Sequence, residues 1–294
     1  MSANIFNIEG DPQRVDSREE FMNLEEVLKV DGKVQSRFSG ILFYPDIFNE
    51  NAAKTITMKE KTIISVSFKD TEFNNVRFLD CSFDSCIFLS AQFINCEFIN
   101  CTFKDTNTNK SKFSGTLIDP KDFAKNFDLK NDTNIAADLY HSLYKNLSNE
   151  RQPDRAVDSL YLLYRSENAH LSSQLKRNKI TKMSFINKKA WHLFNCLTTG
   201  YGLKLYRLLI TLSSFIALSS LINYIYRDEF FASGDVSTPI DAFYFTLVTL
   251  TTLGYGDISP YTQLGRLVIS CETAIGIVLI SLSLSSIASK TVRA

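Results

Sequence analysis

The chain has 294 residues with 32 basic and 32 acidic side chains, a balance that gives it no overall attraction for nucleic acid. Its mean hydropathy of −0.06 averages two unlike halves, within a length that allows one to three domains. No H-E-x-x-H, phosphate-binding glycine loop or G-x-S-x-G occurs, and His141, His170 and His192 lie far apart, so neither an enzyme nor an organic cofactor site has residues to rest on.

Residues 1–55 form a lead segment to which the pattern assigns no fold. Residues 1–16 are polar and acidic with no apolar run, which argues against a secretory signal. Without that signal the six cysteines read as reduced thiols, not as a disulfide framework. Phe38, Phe43 and Phe48 share the register of the repeat that follows. Bulky Ile41 and Pro45 interrupt it, so these three are expected to lie outside.

From Phe68 an aromatic recurs every fifth residue, through Phe73, Phe78, Phe83, Phe88, Phe93 and Phe98 to Phe103. Thr108 breaks the run and Phe113 resumes it; Met58 and Ile63 extend the register backward and Ile118 forward. Two residues before each lies something compact, such as Val66, Thr71, Cys81, Cys86, Ala91, Cys96, Cys101 or Ser111. Five is neither the helical nor the strand period, so a repeat architecture is required. In an extended segment i and i−2 point to one side, which turns both residues inward. A turn between successive fives gives a square solenoid of roughly twenty residues per coil, its parallel strands about 4.8 Å apart. Phe83 would lie over Phe103 and Cys81 over Cys101. Cysteines five and ten residues apart lack the close pairs of zinc sites, and no histidine is near, so they read as small packing residues.

Residues 56–118 resemble the pentapeptide-repeat family, and the resemblance implies a right-handed quadrilateral β-helix. Some members of that family imitate DNA with an acidic surface. Residues 54–119 carry eight basic and eight acidic side chains, so what remains is a scaffold or a docking surface for an unidentified cytoplasmic protein or ligand.

Residues 119–182 read as a helical hairpin connector. Leu139, Leu143, Tyr144 and Leu147 have helical spacing, Pro153 breaks the pattern, and Asp154 is placed to cap a second helix bearing Ala156, Leu160, Leu163 and Tyr164. This element is either a spacer or a coupling device. Over residues 183–198, Ile186, Ala190, Leu193, Phe194 and Leu197 share one helical face, Lys188, Lys189, His192 and Asn195 the other, with Trp191 at the border. Such a helix suits the bilayer interface, although an ordinary surface helix has the same pattern. No acidic residue occurs between Glu167 and Asp228, while Lys176, Arg177, Lys179, Lys182, Lys188, Lys189, Lys204, Arg207 and Arg227 do, as expected of a cytoplasmic approach to a membrane.

Residues 199–294 are read as a pore domain. Thr198-Thr199-Gly200-Tyr201-Gly202 at its start is a decoy filter, with no helix of the right kind before it; Gly200 and Gly202 are expected to make a bend. A first span is placed at 203–226, uncharged from 208 to 226, and a second at 264–289, where Glu272 is the sole charge from 267 to 289. Cations before the first span, Lys290 and Arg293 after the second, and an acidic segment between them put both termini in the cytoplasm, in a multi-pass protein of the plasma (cell inner) membrane. Thr238 as cap, Pro239 at the first helical position and Asp241 three past the cap start a helix over 239–250, too short to span. Thr252-Leu253-Gly254-Tyr255-Gly256-Asp257 follows. Glycines at alternate positions let the backbone reach conformations that other residues resist.

From D-A-F-Y-F-T-L-V-T-L-T-T-L-G-Y-G-D to L-G-R-L-V, residues 203–290 resemble the two-span potassium-channel pore family. The whole is then an α+β multidomain membrane protein whose pore is a homotetramer conducting K+ through the filter 252–257. By this resemblance the carbonyls of Thr252, Leu253, Gly254 and Tyr255, with the Thr252 hydroxyl, hold K+, supported by Gly256 and Asp257. Gly276 falls at an inner-helix hinge, and Ile277, Ile280 and Leu284 face the cavity. Leu253 stands where Val is usual, Phe243, Tyr244 and Phe245 where a Trp pair is common, and Val248 where some members carry a Glu for the filter Asp. Asp257 must then find another partner or stay solvated. Glu272, an intramembrane charge, is the candidate to steady the filter from behind, through pore-helix or neighbouring hydroxyls. No span carries an arginine ladder, and the chain stops soon after the second span, so control is expected from the N-terminal half. A membrane-anchored scaffold with a vestigial pore and a non-selective cation channel remain as other readings; a carrier would need an inverted repeat.

Overall fold

The computed structural model describes residues 3–30, 33–198, 200–201, 203 and 205–293. The chain divides into two compact units, Met1–Lys189 and Ala190–Ala294.

The first unit opens with strand β1 (Gln13–Val15), helix α1 (Arg18–Asn23), and strands β2 (Glu26–Val30) and β3 (Lys33–Phe43). The repeat then supplies β4 (Ile56–Lys59), β5 (Lys61–Ser67), β6 (Glu72–Asn74), β7 (Val76–Leu79), β8 (Ser82–Asp84), β9 (Gln92–Ile94), β10 (Glu97–Ile99), β11 (Thr102–Lys104) and β12 (Lys112–Ser114). Apart from the antiparallel pair β2–β3, every pairing is parallel. One sheet runs β1-β3-β5-β8-β11, a second β4-β7-β10, a third β6-β9-β12. A fourth line of parallel bridges joins Ser67, Ile87 and Asn107. Within the repeat the partners are twenty residues apart: Met58 with Phe78, Ile63 with Phe83, Phe73 with Phe93, Phe83 with Phe103.

Four columns of rings result. Phe83 and Phe103 stack at 4.9 Å and 8°, Phe78 and Phe98 at 4.8 Å, Phe73 and Phe93 at 5.0 Å, Phe68 and Phe88 at 5.4 Å. Rings of successive fives meet edge to face, as Phe78 does Phe83 at 5.5 Å and 74°. Where the compact residue two before the inward position is Cys, Ser or Thr, it is in most coils also a donor. Its side chain bonds a carbonyl 23 residues back: Cys86 Sγ to Ile63 O, Cys96 Sγ to Phe73 O, Ser111 Oγ to Phe88 O, Thr116 Oγ1 to Phe93 O. Burial pushes the Cys86 thiol up to about 12 and Cys96 to about 11, so both keep the proton they donate. Two residues after each ring the chain turns through the left-handed region, at every fifth residue from Glu60 to Lys110 and again at Gly115. Most of these corners are Asp, Asn or Ser, whose short polar side chains make that region accessible.

The expectation that left Phe38, Phe43 and Phe48 outside is corrected. All three are buried in the same core as the repeat, and β3 pairs with β5 by placing Phe38 on Ile63 and Ile41 on Val66. The step there is 25 residues instead of twenty, which absorbs Pro45. Phe21 of α1 closes that end, stacked on Phe38 at 4.6 Å. At the other end Phe123, in the 3-10 turn Pro120–Phe123, stacks on Phe103 at 4.1 Å. Two asparagine amides there stand in for a further strand. Asn126 accepts from Thr106 N and donates to Thr106 O, at 2.8 and 2.9 Å; Asn146 does the same for Thr116, at 3.2 and 2.6 Å. An open parallel edge is thereby closed to further pairing.

Helices α2 (Thr133–Asn149) and α3 (Pro153–Lys176) follow. Contacts of Tyr140 with Ser159 and of Thr133 with His170 define them as antiparallel. Asp154 lies in the first turn of α3 and is not its cap; Gln152 occupies the cap position with no side-chain bond, and Pro153 starts the helix. Asn146→Ala leaves both Thr116 backbone groups without partners, and should lower the stability of this unit by about 1–3 kcal/mol in urea unfolding. Burial, with Asp119 adding to it and Arg155 opposing, raises Asp122 from 3.8 to about 6. The folded unit therefore holds this proton more tightly, and its stabilising share is complete below pH 3.8 and lost as pH rises through 6. In Asp122→Asn that loss between pH 4 and 7 should disappear from the same unfolding curves.

The helix α4 (Lys182–Thr198) leaves Met183, Ile186, Trp191, Leu193 and Phe194 exposed; the side chain of Leu197 lies outside the described residues. Gly200 turns at φ +57 and Tyr201 at +62, whereas Thr199 and Gly202 of the decoy lie outside the description. The second unit then comprises α5 (Leu205–Ile225), the single turn α6 (Arg227–Phe230), α7 (Pro239–Leu250) and α8 (Gln263–Arg293). Of the most apolar windows of α5 and α8, only 22% and 17% is buried within the chain, so most of their apolar surface is left for something else to cover. At 21 and 26 residues the apolar stretches are long enough to cross a bilayer.

Candidate functional site

The site is assembled around α7. Thr238 Oγ1 accepts from Asp241 N, and Asp241 Oδ2 accepts from Thr238 N at 2.7 Å and Ser237 N at 3.0 Å, a reciprocal cap with Pro239 at the first helical position. Ala242, Phe245 and Leu250 are buried, with Phe231 edge-on to Phe245 at 4.9 Å. A small apolar cluster of Phe230, Phe231, Val236, Ala242, Phe245 and Ile269 pins the start of α7 against α6 and α8. Gly265 has a steric reason: a Cβ there would come within 2.9 Å of the Phe230 backbone.

At its C-terminal end α7 unwinds around one carbonyl. Val248 O accepts from Leu253 N at 3.0 Å and from Gly254 N at 3.3 Å. Thr252, Gly254 and Gly256 have φ of +60, +54 and +79, while Leu253 and Tyr255 between them do not enter that region. Handedness thus alternates residue by residue. Among the described residues, none donates a hydrogen bond to the carbonyl oxygens of Thr252, Leu253, Gly254 or Tyr255. Residues 252–257 are exposed within the single chain, with Leu253 and Tyr255 62% and 68% accessible.

Asp257 has a partner that the sequence does not announce: Tyr244 Oη donates to its Oδ2 at 2.7 Å. Tyr244 lies one helical turn before Val248, so an aromatic hydroxyl on α7 reaches the carboxylate. Glu272, half-buried on α8, meets no hydroxyl directly. Its Oε2 accepts from Asn223 Nδ2 of α5 at 3.2 Å, and the same nitrogen donates to Thr246 Oγ1 of α7 at 3.1 Å. Gly276 lies within an uninterrupted α8, and a Cβ there would overlap Leu250 Cδ2 and stand 3.2 Å from its Cγ. Ile277 and Leu284 are exposed and Ile280 is partly so, at i, i+3 and i+7 on one face. Sequence reasoning passed over Asn223, Tyr244 as a donor, Thr246 and Leu250; only the position of Asn223 as the polar interruption of an apolar span was visible.

Residues 205–293 match the model of the ion channel family. Over 79 residues, 27% of this chain, it is 34% identical to "Two-pore potassium channel 1" of Arabidopsis thaliana. Over 29 residues, 10% of the chain, it is 62% identical to a "Hyperpolarization-activated voltage-gated potassium channel" of Methanocaldococcus jannaschii. The matched stretches span 22% and 14% of those proteins' own lengths. The C-terminal unit resembles the two-span potassium-channel family, and with two apolar helices the chain is read as a membrane protein.

The Gly276 contact gives a test. Gly276→Ala should force Leu250 off its rotamer and cost about 1–3 kcal/mol, seen as a lower melting temperature of the detergent-purified protein. Adding Leu250→Ala should return most of that loss.

Proposed function

We propose that the protein is a potassium-selective channel that conducts K+ passively through a homotetrameric pore. The single observation that carries this is residues 252–257. Their φ alternates in sign, and four successive carbonyl oxygens carry no donor from the described residues. Alternation of this kind turns successive peptide planes so that their oxygens share a side, which a regular strand does not do. Four copies would ring an axis with carbonyl oxygens of Thr252, Leu253, Gly254 and Tyr255, replacing a cation's water shell. The C-terminal end of α7 adds about half a negative charge per copy. Gly256, and Asp257 held by Tyr244, support the outer end, and Ile277, Ile280 and Leu284 face the cavity below. Exposure of the filter side chains and of most of α5 and α8 favours this reading, since neighbouring copies and lipid would cover them.

The N-terminal ladders, four in parallel with a twenty-residue step, support a right-handed quadrilateral β-helix for residues 56–118. We place this unit and both termini on the cytoplasmic side of the plasma membrane, with α4 at the bilayer surface, because the interval without acidic residues carries nine cations and exposed Trp191 and Phe194. In that position the N-terminal unit modulates gating through α4, on binding an unidentified cytoplasmic protein or ligand.

The deciding measurement is the reversal potential of the purified protein in planar bilayers, with K+ opposed to Na+. It should lie near the K+ equilibrium potential, and Gly254→Ala, which places a side chain at φ +54, should abolish selectivity. A membrane-anchored scaffold would pass no current at all. Removal of residues 1–180 should alter open probability but not selectivity; identical gating would remove the N-terminal unit from control.

A further inference from the structure

The second unit contains a buried polar junction where α5, α7 and α8 meet. Asn223, in the apolar α5, is only 1% exposed. Both hydrogens of its amide are engaged, one by Thr246 Oγ1 on α7 and one by Glu272 Oε2 on α8. Thr246, 2% exposed, donates its own proton to Ala242 O at 2.8 Å. Three helices therefore meet on one nitrogen. The junction is incomplete, however: Asn223 Oδ1 and Glu272 Oε1 are both buried and neither has a hydrogen-bond partner. What it lacks is a donor.

No cation from these helices can supply one. Between Arg207 and Arg227 the chain has no charged residue, α7 carries only Asp241, and between Arg266 and Lys290 the only charge is Glu272 itself. An isolated carboxylate in such surroundings costs far more than a hydrogen-bonded neutral group. A neutral carboxylic acid, like a primary amide, can accept through one atom and donate through the other, which serves both orphan oxygens. One helical turn further along, Leu250 of α7 closes on Gly276 of α8, four residues after Thr246 and Glu272 respectively. The polar junction and this close approach form two successive rungs between the same helices.

Resting on the channel reading above, we propose that Asn223 is the positioning residue that fixes the height of α7 between the two spans, and that Glu272 serves it as a neutral hydrogen-bonding partner, not as a negative charge. Residues 252–257 hang from the C-terminal end of α7, so the junction sets where they sit.

The experiment compares single-channel open probability and the K+/Na+ reversal potential of Asn223→Leu, Glu272→Leu, Glu272→Gln, Asn223→Asp and the exchange pair Asn223→Asp/Glu272→Gln. Each leucine variant should lose about tenfold in open probability, the scale of one buried hydrogen bond left unmade. The conservative Glu272→Gln should stay within about twofold of the parent, because an amide completes the same ring of bonds. Asn223→Asp, which sets two carboxyl groups together, should lose activity, and the exchange pair should recover it. If Glu272→Gln fails as severely as Glu272→Leu, Glu272 acts through its charge and the proposal falls; it falls equally if the leucine variants conduct like the parent. Melting temperatures of the same proteins separate this failure from failure of the channel reading. Should the parent carry no current, the channel reading is lost, while non-additive losses at 223 and 272 still sustain the junction and additive ones overturn it.

Discussion

Backbone that is neither helix nor closed sheet cannot rest in lipid, because each unpaired peptide group there costs several kcal/mol. Residues 252–257 are such backbone, lying between two helices apolar enough to cross a bilayer. The rest of the second unit can be understood as answers to that constraint. The reciprocal cap at Thr238 and Asp241 starts a helix where its apolar sequence can begin at once. The Val248 carbonyl gathers the first amides of the irregular stretch, and Tyr244 holds the carboxylate at its far end. Asn223 and Gly276 bind the flanking helices to that one short helix at two levels. Among the described residues the carbonyl oxygens of 252–255 accept no bond, and a row of free carbonyl oxygens is what a dehydrated cation would need.

The first unit solves a different problem by repetition. Three-residue strands are too short to be stable alone, so they are held by ring stacking, in several coils by a side-chain donor two residues earlier, and by a corner that turns the chain within two residues of the ring. Cys, Ser and Thr exchange freely at the donor position because all three are small and can reach the carbonyl of the coil below. That is how four buried cysteines serve this core as packing and donor residues. The ends are where repetition fails, and there the sequence changes character: Phe21 and Phe123 continue the ring columns, and the Asn126 and Asn146 amides imitate the backbone of an absent strand.

What could be read from sequence was local or periodic. The step of twenty is written in the spacing of the aromatics, and the helix start at Pro239 in three adjacent residues. Corner residues two places after each ring were also legible, as a recurring Asp, Asn or Ser, though the aromatics drew attention away from them. Phe38 to Phe48 were misjudged because strict periodicity was demanded across Pro45, whereas β3 and β5 simply take five residues more. Asn223, Tyr244 and Leu250 were not legible, for a different reason. Each acts through a partner 13 to 49 residues away on another element, and nothing in the local pattern of an asparagine, tyrosine or leucine says which neighbour the fold will bring. Glu272 was conspicuous as a charge, yet its partner is an amide, not a hydroxyl of the pore helix.

The left-handed corners have a consequence for how this first unit can change over time. Ring, corner and donor are indexed to one another, so gain or loss of a single residue would put a phenylalanine on the solvent side of every later coil. Five residues preserve the side but would move the chain to the next column unless the connection absorbs them, as it does in the 25-residue step from β3 to β5, which stay paired in one sheet. Twenty leave every column as it was. The unit can therefore lengthen or shorten only in whole increments, which makes its height a quantity that evolution can adjust without redesigning its interior.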